Sequence, residues 1–264
     1  MNLHLENKRV LVTGSTGNIG EGIAKRFAQE SATVIINGRR EGEAKRVAEE
    51  IQMAGGSAIV AVGDLSKDED VARIVGLAQA ELGGVDILVN NAAGGGHQDD
   101  MGTPAVEWLE SYNINVLSIV RLVQQLLPPM QEQGWGRIIN ISSAASVNPS
   151  PGMGVYSATK AAVNNLTVTF AKAMRNDGVT INTVSPGAIL TPSMIEMGTS
   201  QGMGQSLEEV ETALNQMMGD SVPFKRMGRI DEVADVVVFL ASQLASYVHG
   251  ANIRVDGGYV PTVN

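Results

Sequence analysis

The chain has 264 residues, no cysteine, and a formal charge of −9 from 19 basic and 28 acidic side chains. The missing cysteine excludes disulfide scaffolds, zinc–thiolate sites, iron–sulfur clusters and thiol nucleophiles together. The acidic balance argues against nucleic acid, anionic membranes and acidic protein partners, all of which need clustered Lys and Arg.

At 44% hydrophobic and 18% charged residues the composition is that of a globular protein, with length for one large domain or two modest ones. Charges precede any long apolar run at the start, so no secretion signal is expected and the cytoplasm is the default location. The apolar stretch 233–241 is broken by Asp235 and is far short of a membrane span.

In chain order, short Val/Ile-rich runs fall at 9–12, 33–36, 58–62, 86–89, 137–141 and 180–184, with a final one at 251–255. They are nearly continuous rather than alternating, which suits strands buried on both faces of a parallel sheet. Stretches with helical spacing lie between them, at 19–30, 43–54, 68–82, 106–130 and 157–176. Strand then helix, repeated, predicts βαβ units and an α/β, doubly wound parallel sheet of about seven strands with helices on both faces.

The irregular stretch 192–229, rich in Met and Gly with a helical piece at 207–218, is predicted to lie at the carboxyl ends of the strands and to cover a pocket there. Its Met194, Ile195, Met197 and Met203 would otherwise face water.

After the first strand comes Thr13-Gly14-Ser15-Thr16-Gly17-Asn18-Ile19-Gly20, opening the first helix. Glycines there allow a tight turn and close approach of a pyrophosphate to the helix N-terminus. The strict G-x-G-x-x-G spacing is absent, and a purely structural turn is the alternative. At the end of the second strand, where an NAD site would place a carboxylate, the run is Asn37-Gly38-Arg39-Arg40. Guanidinium there suits a 2′-phosphate, so NADP(H) is favoured over NAD(H).

With Tyr156-Ser157-Ala158-Thr159-Lys160, Asn90-Asn91-Ala92-Ala93-Gly94, Asn115, Ser143 and Ser185-Pro186-Gly187 added, the chain closely resembles the short-chain dehydrogenase/reductase family along essentially its whole length. The resemblance implies one Rossmann-type dinucleotide-binding and catalytic domain over residues 1–264, a nicotinamide cofactor, and hydride transfer to or from a carbonyl or alcohol carbon. It implies a catalytic tetrad of Asn115, Ser143, Tyr156 and Lys160. Tyr156 and Lys160, four apart, share a helix face, where an ammonium could lower the phenol's pKa for acid–base work. Lys160 would also hold the nicotinamide ribose, Ser143 would bond the substrate oxygen in preference to Ser142, and Asn115 would anchor a water leading from Lys160.

By the same resemblance Gly14, Ser15, Thr16, Asn18 and Ile19 meet the cofactor at the phosphate loop. Asp64 and Leu65 meet the adenine, although Asp64 could instead cap the following helix. Asn91 borders the cofactor cleft, as does Asn90, which stabilises the central strands and could instead be purely structural; Pro186, Gly187, Ile189 and Thr191 meet the carboxamide and phosphates, and Val255-Asp256-Gly257-Gly258 serves fold and interface. Two positions depart from the pattern: Asn18 and Ala93 stand where the family has glycine. His97 could edge the site, but a solvated loop histidine is the alternative.

For the substrate, a small ketone or the matching secondary alcohol is expected, in an adaptable pocket walled by Ala144, Ala145, Pro149, Met153, the 94–97 loop and the 192–220 segment. A 3-oxoacyl-[acyl-carrier-protein] reductase is the alternative. Gly134 and Asp177 stand where such enzymes have docking arginines, although Arg137, Lys172 and Arg175 lie nearby. A reading of another class, a non-catalytic cofactor-binding regulator or scaffold, draws only on Asn18 and Ala93. No metal is expected, and the resemblance implies a homotetramer built on helices 106–130 and 157–176 and on the C-terminal segment.

Overall fold

Seven strands form one parallel sheet in the order β3-β2-β1-β4-β5-β6-β7. In the computed structural model, which describes residues 2–95, 101–174, 178–218 and 221–262, they are β1 (Arg9–Val12), β2 (Thr33–Gly38), β3 (Ser57–Val62), β4 (Ile87–Asn90), β5 (Gly136–Ile141), β6 (Val179–Pro186) and β7 (Asn252–Val255). Between them run α1 (Asn18–Gln29), α2 (Glu41–Met53), α3 (Asp68–Leu82), α4 (Ala105–Tyr112), α5 (Ser118–Glu132), α6 (Gly154–Ala173), α7 (Pro192–Ser200), α8 (Leu207–Met218) and α9 (Ile230–Ala241). The doubly wound sheet with helices on both faces is as the sequence predicts.

Strand residues divide between the two faces with a period of two. Val10, Val12, Val34, Ile36, Ile87 and Val89 pack with Ile23, Phe27, Val47 and Val237 of α1, α2 and α9. Leu11, Ile35 and Leu88 pack on the other side with Ile74, Leu122 and Val163 of α3, α5 and α6. Both faces are therefore dry, which is why the runs read as continuous rather than alternating. Strand order reverses at β1, which pairs with both β2 and β4. That reversal opens a crevice at the carboxyl ends of β1 and β4, where open α/β sheets bind ligands.

Two expectations about helices change. The stretch 106–130 is not one α-helix: α4 and α5 are joined by a π-helical turn, Asn113–Leu117. Residues 233–241, read only as an apolar stretch, belong to α9, whose Val233, Ala234, Val237, Val238 and Ala241 pack on the sheet. Asp86, expected inside the fourth strand, precedes it and forms an ion pair with Arg9 at 2.5 Å. Residues 192–218 fold as α7 and α8 around a third small cluster of Val210, Leu214 and Met227, with Met194, Ile195 and Met203 packed against it.

Candidate active site

A cleft of about 880 Å³ lies over the carboxyl ends of β1, β4 and β5. Its floor begins at the phosphate loop. Thr13 and Asn91 join the ends of β1 and β4: the Thr13 hydroxyl accepts from the N–H groups of Asn91 (2.9 Å) and Ala92 (3.0 Å). Asn91 Nδ2 donates to the carbonyls of Thr13 (2.9 Å) and Gly14 (3.1 Å). Glycine is obligatory at position 20, where a Cβ would meet the Gly14 carbonyl at 2.3 Å and Asn91 Nδ2 at 2.4 Å. Gly17, the N-cap of α1, gives no side-chain cap. The first turn of α1 therefore offers uncapped N–H groups to the cleft, which suits an anionic diphosphate.

Gly14, Thr16, Asn18, Ile19, Arg39, Asp64, Leu65, Asn91, Tyr156, Lys160, Pro186, Gly187 and Thr191, expected at a cofactor site, all line this cleft. Ser15, Ile189 and Asn90 do not; Asn90 is buried between the central strands, donating from Nδ2 to Asn140 Oδ1 at 2.8 Å. Ser15 is buried with its N–H and hydroxyl on the Asn37 backbone, tying the loop to β2. Ile189 is buried in the core and bridges to Gly228. Asp64 does not cap α3, whose N-cap is Lys67. Its Oδ1 accepts from Ser66 N (3.0 Å) and Ser66 Oγ (2.8 Å), and the backbone bond, helped by the charge of Arg39, holds its carboxyl below the usual range. Arg39 is exposed and makes no hydrogen bond or ion pair among the described residues.

Ser143, Tyr156 and Lys160 converge at the other end. Lys160 is buried, donates from Nζ to the Ile141 carbonyl at 2.8 Å and sits 5.5 Å from the centre of the Tyr156 ring. Ser142 donates to the Lys160 carbonyl (3.1 Å) and so fixes α6, whereas the Ser143 hydroxyl engages the Tyr156 phenol. Asn115 does not line the cleft; it is buried behind it. Its Nδ2 donates to the Gly94 carbonyl (2.8 Å), Ser111 Oγ (3.2 Å) and Thr159 Oγ1 (2.9 Å), and its Oδ1 accepts from Gly94 N (2.7 Å).

A family model described as enoyl-(acyl carrier protein) reductase matches residues 14–260. The uncharacterized oxidoreductase YvrD of Bacillus subtilis is 37% identical over 98% of this chain and 99% of its own length. L-sorbose reductase from Gluconobacter frateurii, solved with NADPH and L-sorbose, superposes with a TM-score of 0.94 at 30% identity over all of both chains. A 7α-hydroxysteroid dehydrogenase, solved with NADH and 7-oxo glycochenodeoxycholic acid, gives 0.87 at 32% identity over 100% of this chain and 98% of its own. The chain belongs to the short-chain dehydrogenase/reductase family.

As a short-chain dehydrogenase/reductase it is an oxidoreductase, and its electrostatics bear on that chemistry. Lys160 does not lower the phenol as expected. Burial pushes Tyr156 up, hydrogen bonding to Ser143 counters this, and burial brings Lys160 down to about 8. A phenol held protonated is a proton donor awaiting an acceptor. Among the described residues lining the cleft, Arg39 and Lys160 are the cations, so no other positive charge faces Ser143 and Tyr156.

Sequence reasoning missed one wall of this short-chain dehydrogenase/reductase cleft. Glu107, Glu110, Ser111 and Ile114 line it from α4 and the π turn, and Asn113 donates to the Ser66 carbonyl (3.4 Å). Their spacing i, i+3, i+4, i+7 is one helical face, and that periodicity was the available signal. Conversely, Ala144, Ala145, Pro149, Met153 and residues 192–218 do not line the cleft, while Gly94 and Gly95 do. The third cluster explains the difference, since Met194, Ile195 and Met203 turn into it. His97, Arg175 and Asp177 lie outside the described residues. No helix among the described residues is long and apolar enough to cross a membrane.

Proposed function

We propose that the chain is an NADP(H)-dependent oxidoreductase that interconverts a small uncharged ketone and its secondary alcohol. The observation that carries this is the convergence of Ser143, Tyr156 and Lys160 at one end of a cleft whose other end holds the uncapped first turn of α1 and an unpaired Arg39. A nicotinamide dinucleotide, when bound, supplies or accepts the hydride.

The chain's own residues do the rest. Thr16, Gly17, Asn18, Ile19 and Thr191 hold the diphosphate, and Arg39 holds the 2′-phosphate. Asp64 and Leu65 meet the adenine, Lys160 holds the nicotinamide ribose, and Pro186 and Gly187 meet the carboxamide. Ser143 donates to the substrate oxygen. Tyr156 gives its hydroxyl proton to that oxygen in reduction and takes it back in oxidation. Asn115 is a positioning residue in this scheme, because its side chain is spent on Gly94 and Thr159.

Preference for an uncharged substrate follows from the charges: no cleft-lining cation beyond Lys160 and Arg39 is there to meet a carboxylate among the described residues. The test is nicotinamide absorbance with a panel of free ketones and secondary alcohols. Turnover abolished by Tyr156→Phe is the expected result; turnover retained by that variant overturns the mechanism. We also propose a homotetramer, supported by the exposed Val106, Leu109, Tyr112 and Leu117 on the α4–α5 side and Phe239, Leu244 and Tyr247 towards the C-terminus. Light scattering that gives a monomer overturns it.

A further inference from the structure

Asn18 and Ser193 lie 175 residues apart in the chain and meet at the edge of the cleft. Asn18 Nδ2 donates to Ser193 Oγ at 2.8 Å, and Ser193 N donates to Asn18 Oδ1 at 3.2 Å. The second bond satisfies one of the N–H groups that a helix leaves open at its start, here that of α7. Thr191 Oγ1 takes the next, from Met194 N at 3.3 Å. Among the described residues these two bonds are the hydrogen bonds between the phosphate loop and α7.

Asn18 has φ +49°, a left-handed backbone that glycine adopts without cost. The backbone therefore gives no reason for asparagine over glycine; the difference between them is the carboxamide, and the carboxamide is spent on Ser193. On the far side of that tether, α7 and α8 pack as one piece. Gly198 sits so close to α8 that a Cβ would meet Val210 Cγ1 at 2.6 Å, and Met227 N donates to Asn215 Oδ1 at 2.8 Å. This piece has its own cluster and is not part of the two main cores.

We propose that Asn18 is a positioning residue for residues 192–218: its carboxamide pins the start of α7 to the phosphate loop and so fixes where that segment begins at the edge of the cleft. The pinning stands on the hydrogen bonds alone, and its bearing on the substrate rests on the proposed function. Cofactor and substrate sites are thereby linked through one side chain, because a residue of the phosphate loop also sets where α7 starts.

The first measurement is amide hydrogen exchange on the ligand-free full chain. Asn18→Gly keeps the backbone preference and loses both bonds. Exchange in α7 should rise about 3- to 10-fold, the range for one modest net hydrogen bond, with β1, β4 and β5 unchanged. Ser193→Ala should raise it less, and the double variant no more than Asn18→Gly, since the partners act as a pair. The second measurement is kinetics of Ser193→Ala. KM for the ketone should rise about 2- to 5-fold at constant kcat, because only the start of the cover is loosened. Unchanged exchange in Asn18→Gly, additive effects in the double variant, or faster exchange with an unchanged KM overturns the proposal. If the wild-type chain turns over no ketone, the proposed function fails, while the exchange measurement still decides the tether.

Discussion

Asn115 grips Gly94 by both backbone groups, its Oδ1 accepting from the N–H at 2.7 Å and its Nδ2 donating to the carbonyl at 2.8 Å. The same Nδ2 reaches Thr159, one residue before Lys160. A buried side chain thus sets the spacing between the strip of chain after β4 and the helix that carries Tyr156 and Lys160.

Asn115→Ala leaves the Gly94 amide and carbonyl without that partner. A loss of about 1–2 kcal/mol of stability is expected, because the Gly94 groups are only half-buried at the edge of the cleft. Denaturant unfolding measures it, and a loss below about 0.5 kcal/mol would mean water replaces the carboxamide at no cost.

Tyr156→Phe removes the hydroxyl proposed to exchange a proton with the substrate oxygen. Turnover should fall by about 10²- to 10⁴-fold, while nucleotide affinity stays within about 3-fold. Rapid-quench turnover alongside fluorescence titration of the nucleotide separates the two.

Arg39→Ser should weaken NADPH binding by about 10- to 100-fold and leave NADH nearly unchanged, because a charge-assisted pair to a 2′-phosphate is lost. The side chain is exposed and makes no hydrogen bond or ion pair among the described residues, and its charge only helps Asp64 stay ionised, so the fold should barely register the change. Equal losses for both nucleotides would falsify the role given to Arg39.

Burial takes Lys160 down to about 8 from 10.5. Below pH 8 the amine is charged in both states, and the folded state bears the full cost of burying that charge. Between pH 8 and 10.5 the unfolded chain holds more protons, so this group makes stability rise with pH, by about 3 kcal/mol across the window. Tyr156, raised by burial, acts only once pH exceeds the phenol's ordinary value of about 10, and in the opposite sense: the folded state keeps its proton while the unfolded chain loses it, so stability then falls. In the Lys160→Met variant the rise between pH 8 and 10 should vanish, as read from urea midpoints.

Much of this was legible in the residues themselves. The Tyr156/Lys160 spacing, the glycine turn after β1 and Arg39 at the end of β2 each carry chemistry that few other residue types could supply. What stayed hidden was direction. Ser15 and Ile189 lie inside motifs that border the cleft, yet both side chains turn into the protein, and a motif records neighbours in the chain rather than which way they face. Asn115 was hidden for the same reason. Helix α9 was obscured because Val236, Val237, Val238 and Phe239 run consecutively, and a short unbroken apolar run reads equally as strand or helix. Met194 and Met203 point into a cluster of their own, which only the packing of α7 on α8 defines, while Met197 stays exposed.

The π turn between α4 and α5 has a consequence for how the two halves of that rod can change. An extra residue in a helix offsets everything before it by roughly 100° about the axis. Tyr112, two turns before the buried Ile119, would share its inward side in an unbroken helix; instead Tyr112 is 42% exposed and Ser111 is 6% exposed. The turn acts as a phase shifter. It lets α5 keep Leu122, Val123 and Leu126 in the core while α4 presents Glu107, Glu110 and Ser111 to the cleft. Deletion of Val116 or Leu117 would therefore do more than shorten the rod: it would rotate one wall of the cleft out of view without removing any residue that lines it.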